Sequence, residues 1–174
     1  AHLGDSTAFH TSLHLFIDDG TGLYASFNSG GEEGAVQGVR MALFEQFADR
    51  YFPARPDTRR VPAAQARQHA QAMAGNWIAS RRPETSFLNI VTLLGQTSLS
   101  TNADGELVTP PGGTLTGRPP RWVEVPPFVW RDLNSHTQLA AVVENGQPVR
   151  WSMSLLSSFT VYERAPVWKN AALV

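Results

Sequence analysis

The sequence predicts an α+β segment, made of a β-hairpin and a helix, followed by a mainly antiparallel β domain that closes as a small eight-strand barrel. Three observations carry this. Apolar residues alternate with a period of two on both sides of a turn-forming stretch, Asp18 to Gly22. Between Gly34 and Phe52 the period becomes that of a helix. From residue 75 on, short β-type runs recur at regular spacing with turn residues between them. Residues 1–52 and 75–174 are therefore expected to be separate domains, with 53–74 as a linker.

In the first segment, Leu13, Leu15 and Ile17 alternate with Ser12, His14 and Phe16. The sequence DDGTG (18–22) is rich in residues that tolerate positive φ, and Leu23, Ala25 and Phe27 alternate after it. Both faces of this hairpin carry apolar residues, which predicts a sheet covered on both sides. In the helix, Val36, Val39, Leu43, Phe47 and Tyr51 fall on one stripe, with Glu45 and Asp49 opposite. Glu32 and Glu33 suit the positive end of the helix dipole, and Pro53 and Pro56 end the helix. The linker is rich in Pro and Ala, and residues 62–74 predict a short helix within it.

The second segment reads as strands. NWIAS (76–80) is one, and SFLNIVTLLG (86–95) predicts one or two helical turns closing an end. QTSLST, the turn NADG and ELVT form a hairpin, and RWVEV and FVWRD flank Pro126-Pro127, which bends an edge. TQLAAVV and VRWSMSLL enclose Asn145-Gly146, the strongest hairpin signal in the chain. Val149, Trp151, Met153 and Leu155 are expected on one face of it, and SFTVYER ends the series.

Composition bounds the function. Of the 174 residues, 42% are hydrophobic and 17% charged, enough to build a core. The net charge is −1 without runs of like charge, which argues against a nucleic-acid partner. With no cysteine there is neither a disulfide framework nor a Cys metal site. No apolar run reaches the roughly 18 residues that span a bilayer. The first residues do not read as a signal peptide, so an export signal is expected outside them.

Few residues announce chemistry. No pair among His2, His10, His14, His69 and His136 has metal-ligand spacing, and no cofactor motif is present. His10 and His14 lie on a strand and read as unrelated side chains. Asp18-Asp19 reads as a turn and Glu32-Glu33 as a solvated helix start. Arg59-Arg60 and Arg81-Arg82 read as solvated faces. There is no G-x-S-x-G elbow and no Ser-x-x-Lys, the single lysine being Lys169.

The opening HLGDSTAFHTSLHLFIDDGTGLYASFNSGG, followed by GAVQGVRMALFEQFADRYFP, resembles the end of the serine β-lactamase/penicillin-binding-protein domain of the class C and esterase-like kind. His2-Leu3-Gly4 resembles the His-x-Gly form of that family's third active-site motif, and Asp5 to Phe9 resembles the turn that follows it. The resemblance implies an edge strand beside the nucleophile, two antiparallel strands and a C-terminal helix. His2 would serve substrate recognition and proton management, and Gly4 would keep the strand flat against the ligand. The family's Ser-x-x-Lys and Tyr-x-Asn motifs are absent from these residues. The nucleophile is therefore expected in a missing N-terminal catalytic portion, the chain being a C-terminal piece that is inactive by itself. The intact parent would hydrolyse a β-lactam, peptide or ester through an acyl-serine.

The second segment is similar to accessory domains that follow the catalytic domain in exported members of this family, some of them lipocalin-like barrels. Gly75-Asn76-Trp77 resembles the Gly-x-Trp of a first barrel strand. The resemblance implies a periplasmic or extracellular location and a membrane-anchored parent, with the apolar AALV (171–174) approaching an anchor. Two other readings stand beside this one. In one, the barrel holds an apolar small molecule, with Trp77, Trp122, Trp130 and Trp151 lining it, although the same residues also make a packed core. Alternatively, the chain is an assembly domain, and apolar surface on residues 1–52 left without its sheet would drive self-association.

Overall fold

A computed structural model describes residues 1–53, 59–110, 119–154 and 160–170, apart from the side chains of Ile90, Val91 and Leu93. Pro56, Leu155 and the 171–174 tail, which figured in the expectations above, lie outside the described residues. The chain forms two compact units, one holding residues 1–53 and the other the described residues from 59 on.

The first unit is a three-stranded antiparallel sheet with a helix. β1 (His2–Asp5) pairs with β2 (His10–Phe16), and β2 pairs with β3 (Thr21–Phe27), in the order β1-β2-β3. The β2–β3 turn is closed by Asp19 N–H to Phe16 O and Gly20 N–H to Ile17 O, both 3.2 Å, with Gly20 at positive φ. Asp18 and Asp19 are thus turn residues. Helix α1 (Val36–Tyr51) follows a separate 3-10 turn over Glu32–Gly34. Those two glutamates precede α1 and do not form its first turn, because Gly31, Glu33 and Gly34 all adopt positive φ there.

The hairpin buries the face that residue type alone disfavours. Ser12 and His14 are buried and Phe16 half-buried, whereas Leu13, Leu15 and Ile17 are exposed. The reason is aromatic packing against α1. His14 stacks on Phe44 at 3.9 Å between centroids, and Phe16 lies 4.1 Å from Phe52 and 6.0 Å from Phe47. The helix stripe is accordingly rotated from the expected one. Val36 and Arg40 are buried and Phe44 and Phe47 half-buried, while Val39, Leu43 and Tyr51 face outward. An arginine occupies an inner position because its guanidinium has partners there.

The second unit is an eight-stranded antiparallel sheet in the order β6-β5-β4-β11-β10-β9-β8-β7, curled into a nearly closed barrel. Its strands are β4 (Gly75–Ala79), β5 (Thr97–Thr101), β6 (Leu107–Val108), β7 (Trp122–Glu124), β8 (Val129–Asp132), β9 (Gln138–Glu144), β10 (Gln147–Met153) and β11 (Tyr162–Arg164). A 3-10 helix covers Phe87–Leu93. Pro126-Pro127 lie in the tight β7–β8 turn, where Val129 N–H reaches Pro126 O at 3.0 Å, so the prolines sit beside the edge strand β7. Asn145 and Gly146 are both at positive φ, the geometry a two-residue hairpin turn requires. A register shift between Pro148 and Arg150 takes Val149 off the inner face. The inward residues of β10 are therefore Pro148, Trp151 and Met153.

The linker helix is realised as α2 (Ala63–Met73), which packs on β5, β6 and β10. Ala70 and Met73 join Trp77, Leu99, Leu107, Trp122, Trp130, Leu139 and Trp151 in one core. Arg164 caps the end of α2, donating to Ala72 O (2.5 Å) and Ala74 O (3.2 Å) with its guanidinium 4.4 Å from the Trp77 ring centre. Burial lowers its pKa. Arg82, expected on a solvated face, is half-buried because it donates to Glu163 (3.1 Å) and Ala79 O (3.0 Å).

Candidate functional site

His2 and Gly4 lie on β1, one edge of the three-stranded sheet. Their register partners are Leu13 and Thr11, which places both on the sheet face turned away from α1. The other edge of β1 pairs with no strand among the described residues. Its backbone N–H and C=O groups are of the kind that take up an extended chain by strand addition.

Gly4 is required for a steric reason. A Cβ at this position would stand 2.5 Å from Thr11 Oγ1, so the side chain of β2 leans across the glycine. Thr11 Oγ1 lies 3.5 Å from Gly4 O. Any larger residue would push the Thr11 hydroxyl aside.

On the opposite face, β1 is fixed by a charged cluster. Asp5 Oδ1 is 2.8 Å from His10 Nδ1 on the neighbouring strand and 3.1 Å from Arg40 Nη1 on α1. Arg40 is 2% exposed; its Nη1 also donates to Thr11 O (2.8 Å) and Gly4 O (3.4 Å), and its Nη2 donates to Gln37. One guanidinium thus gathers two strands and its own helix. The hydrogen bond to His10, with those from Arg40 and Gln37, holds the Asp5 carboxyl below its ordinary pKa against a partial desolvation.

The hydroxyls near this strand are engaged structurally. Ser6 Oγ accepts from Phe9 N–H (2.9 Å) and ties the β1–β2 turn. His14 shares a face of β2 with His10 but serves the core: it is 9% exposed, and burial against Phe44 lowers its pKa. The two histidines therefore form no joint site. Among the described residues, no three His, Asp or Glu side chains converge to hold a metal ion.

The structure thus sets His2 and Gly4 on one face of a strand that is an edge among the described residues, and adds Asp5, His10, Gln37 and Arg40 behind it. Sequence reasoning missed this supporting cluster. The one signal was an arginine at an inward helical position. Trp77, Trp122, Trp130 and Trp151, considered as walls of a ligand cavity, are between 0% and 5% exposed and pack in the core of the second unit. Comparison of this chain with protein-family models, curated proteins and solved structures finds no match.

Proposed function

We propose that residues 1–53 are the closing part of the catalytic domain of a serine hydrolase of β-lactamase/penicillin-binding type, with the second unit as its accessory domain. The observation that carries the reading is His2-Leu3-Gly4 on an edge strand whose other side pairs with no strand among the described residues and whose back is anchored through Asp5 to Arg40. An acyl-transfer site of this type uses such a strand. It aligns an extended substrate, and a backbone N–H on it stabilises the oxyanion as the tetrahedral intermediate forms. Gly4 keeps its outer face low, and His2 offers a hydrogen-bonding or cationic group to a substrate carboxylate.

The attacking serine, its lysine and the tyrosine base belong, in this reading, to polypeptide preceding His2. The parent then cleaves a β-lactam, peptide or ester and releases the acyl group to water. Further support comes from the face opposite α1, where Leu13, Leu15, Ile17 and Tyr24 are exposed and where such a domain carries covering helices. Without that cover we expect the chain to self-associate. We place the parent on the periplasmic or extracellular side, anchored to a membrane. Among the described residues no helix is long and apolar enough to cross one.

Turnover of nitrocefin and of p-nitrophenyl esters tests the proposal. Residues 1–174 alone should give none. The complete gene product should give turnover that His2→Ala reduces mainly through KM. Activity of the 174-residue chain that depends on His2 would overturn the assignment.

A further inference from the structure

The second unit contains a cavity of about 330 Å³ between α2, the β5–β6 turn and β7, at the lower end of the roughly 300–1,000 Å³ usual for ligand sites. Ala63, Ala66 and Ala70 line it from α2, together with Val61, Leu107 and Trp122. The Glu124 carboxylate, 2.7 Å from His69 Nδ1 and 0% exposed, is sealed from this space and takes no part in it.

Two opposite charges stand at the rim, each on a fixed support. Arg67 is one helical turn from Ala63 and from Ala70. Its stem lies close over Gly105: a Cβ on that glycine would come within 2.8 Å of Arg67 Cγ and Cδ. Asp104 precedes the same glycine in a turn that Asn102 locks, its Oδ1 accepting from the N–H groups of Asp104 (3.0 Å) and Glu106 (2.8 Å). Two further rim residues have partners of their own. Glu106 Oε2 accepts from Asn102 Nδ2 at 2.9 Å, and Arg60 Nη1 donates to Arg59 O at 2.8 Å. The Arg67 guanidinium and the Asp104 carboxylate bond to nothing among the described residues, and not to each other.

An exposed charge without a partner is ordinary by itself. Here the Arg67 stem is pinned and the backbone of Asp104 is held, so a ligand that bridges them costs less in lost side-chain freedom. A ligand with one charge pairs with one of these groups and brings a like charge to the other. A ligand with both signs pairs with both. The alanines, which have no bulk beyond Cβ, leave room behind the charges for an apolar body.

We propose that this cavity binds a free α-amino acid with an apolar side chain, its carboxylate on Arg67, its ammonium on Asp104 and its side chain against the alanines of α2. The site is in the other unit from the strand that carries His2 and does not depend on the hydrolase reading.

The test is calorimetry of the 174-residue chain with three probes: L-phenylalanine, phenethylamine, which lacks the carboxylate, and 3-phenylpropanoate, which lacks the ammonium. L-Phenylalanine should saturate, and each analogue should bind at least about tenfold more weakly. Arg67→Gln should weaken L-phenylalanine at least about tenfold and leave phenethylamine unchanged; Asp104→Asn should weaken it as much and leave 3-phenylpropanoate unchanged. Both side chains are exposed, so the thermal midpoint should stay in place. Ala66→Leu, which fills the cavity without touching either charge, should abolish binding of all three probes. No saturable binding of L-phenylalanine, equal binding of either analogue, or undiminished L-phenylalanine affinity in Arg67→Gln, Asp104→Asn or Ala66→Leu would overturn the proposal.

Discussion

Replacing Arg40 with methionine keeps most of the aliphatic stem in place and removes the bonds its guanidinium makes to β1 and β2, while Gln37 Nε2 still donates to Asp5 Oδ1 at 3.3 Å. The loss can be apportioned. Thr11 O loses its charged donor at 2.8 Å in a half-buried setting, at about 1–3 kcal/mol. Asp5 is 46% exposed on its side chain and keeps His10, so its ion pair with Arg40 adds only about 0–1 kcal/mol. The bond to Gly4 O is long, at 3.4 Å, and adds little. Against these stands a gain, because Arg40 Nε is buried without a partner among the described residues and the variant no longer bears that cost. The net expectation is about 2 kcal/mol, well below the roughly 3–5 kcal/mol for stranding a fully buried charge, because Asp5 can rehydrate. That difference raises the open population of β1 about 30-fold. Amide exchange of residues 1–16, read by mass spectrometry on the whole chain, should lose protection by this factor where β1 and β2 share hydrogen bonds, with the second unit unchanged. Protection within twofold of the parent chain would refute the anchoring role of Arg40.

Other residues give independent tests. In Gly4→Ala the new methyl group meets Thr11 Oγ1, so stability of the first unit should fall by about 1–3 kcal/mol, and Thr11→Ala in the same chain should recover most of it in a double-mutant cycle of urea midpoints. His14 is neutral in the folded state with its pKa lowered by burial. Its contribution is therefore intact above the ordinary value of 6.5 and lost as pH falls through the lowered one; urea midpoints from pH 8 to 4 should show this decline, and His14→Phe should flatten it. Asp5 acts at lower pH: its stabilisation is present above 3.8 and disappears as pH drops through its depressed folded pKa, a step that Asp5→Asn should remove. Trp77 is 0% exposed and edge-on to Trp151, so Trp77→Ala should cost about 3–5 kcal/mol and melt the second unit in calorimetry while the first keeps its signal.

What the sequence reveals and what it hides differ by the range of the interaction. The strands of the second unit are legible because each is bounded by local turn chemistry: Asn145-Gly146 needs positive φ at both positions, and Asn102 to Gly105 close a turn before β6. The hairpin of the first unit is legible from its alternation, but its inner face is not. Leu13, Leu15 and Ile17 would be buried on hydropathy alone, and they face outward because His14 and Phe16 stack on the rings of α1. The helix stripe shifts for the same reason. Val149 leaves the inner face through a bulge, which the pattern of residue types does not announce. The charged clusters are the least legible. Arg40 meets Asp5 from 35 positions away and Glu124 meets His69 across 55, and no local periodicity records such pairs. A glutamate two residues from Trp122, on the inward register of a strand, was the available clue to the second.

The most direct measurement of the hydrolase reading is the position of a covalently trapped serine. The product of the complete gene would be treated with a fluorescent penicillin and a fluorophosphonate and then mapped by peptide mass spectrometry. A single acylated serine, within a Ser-x-x-Lys sequence that precedes His2, is the expected result. No acylated serine, or one within residues 1–174, would contradict it.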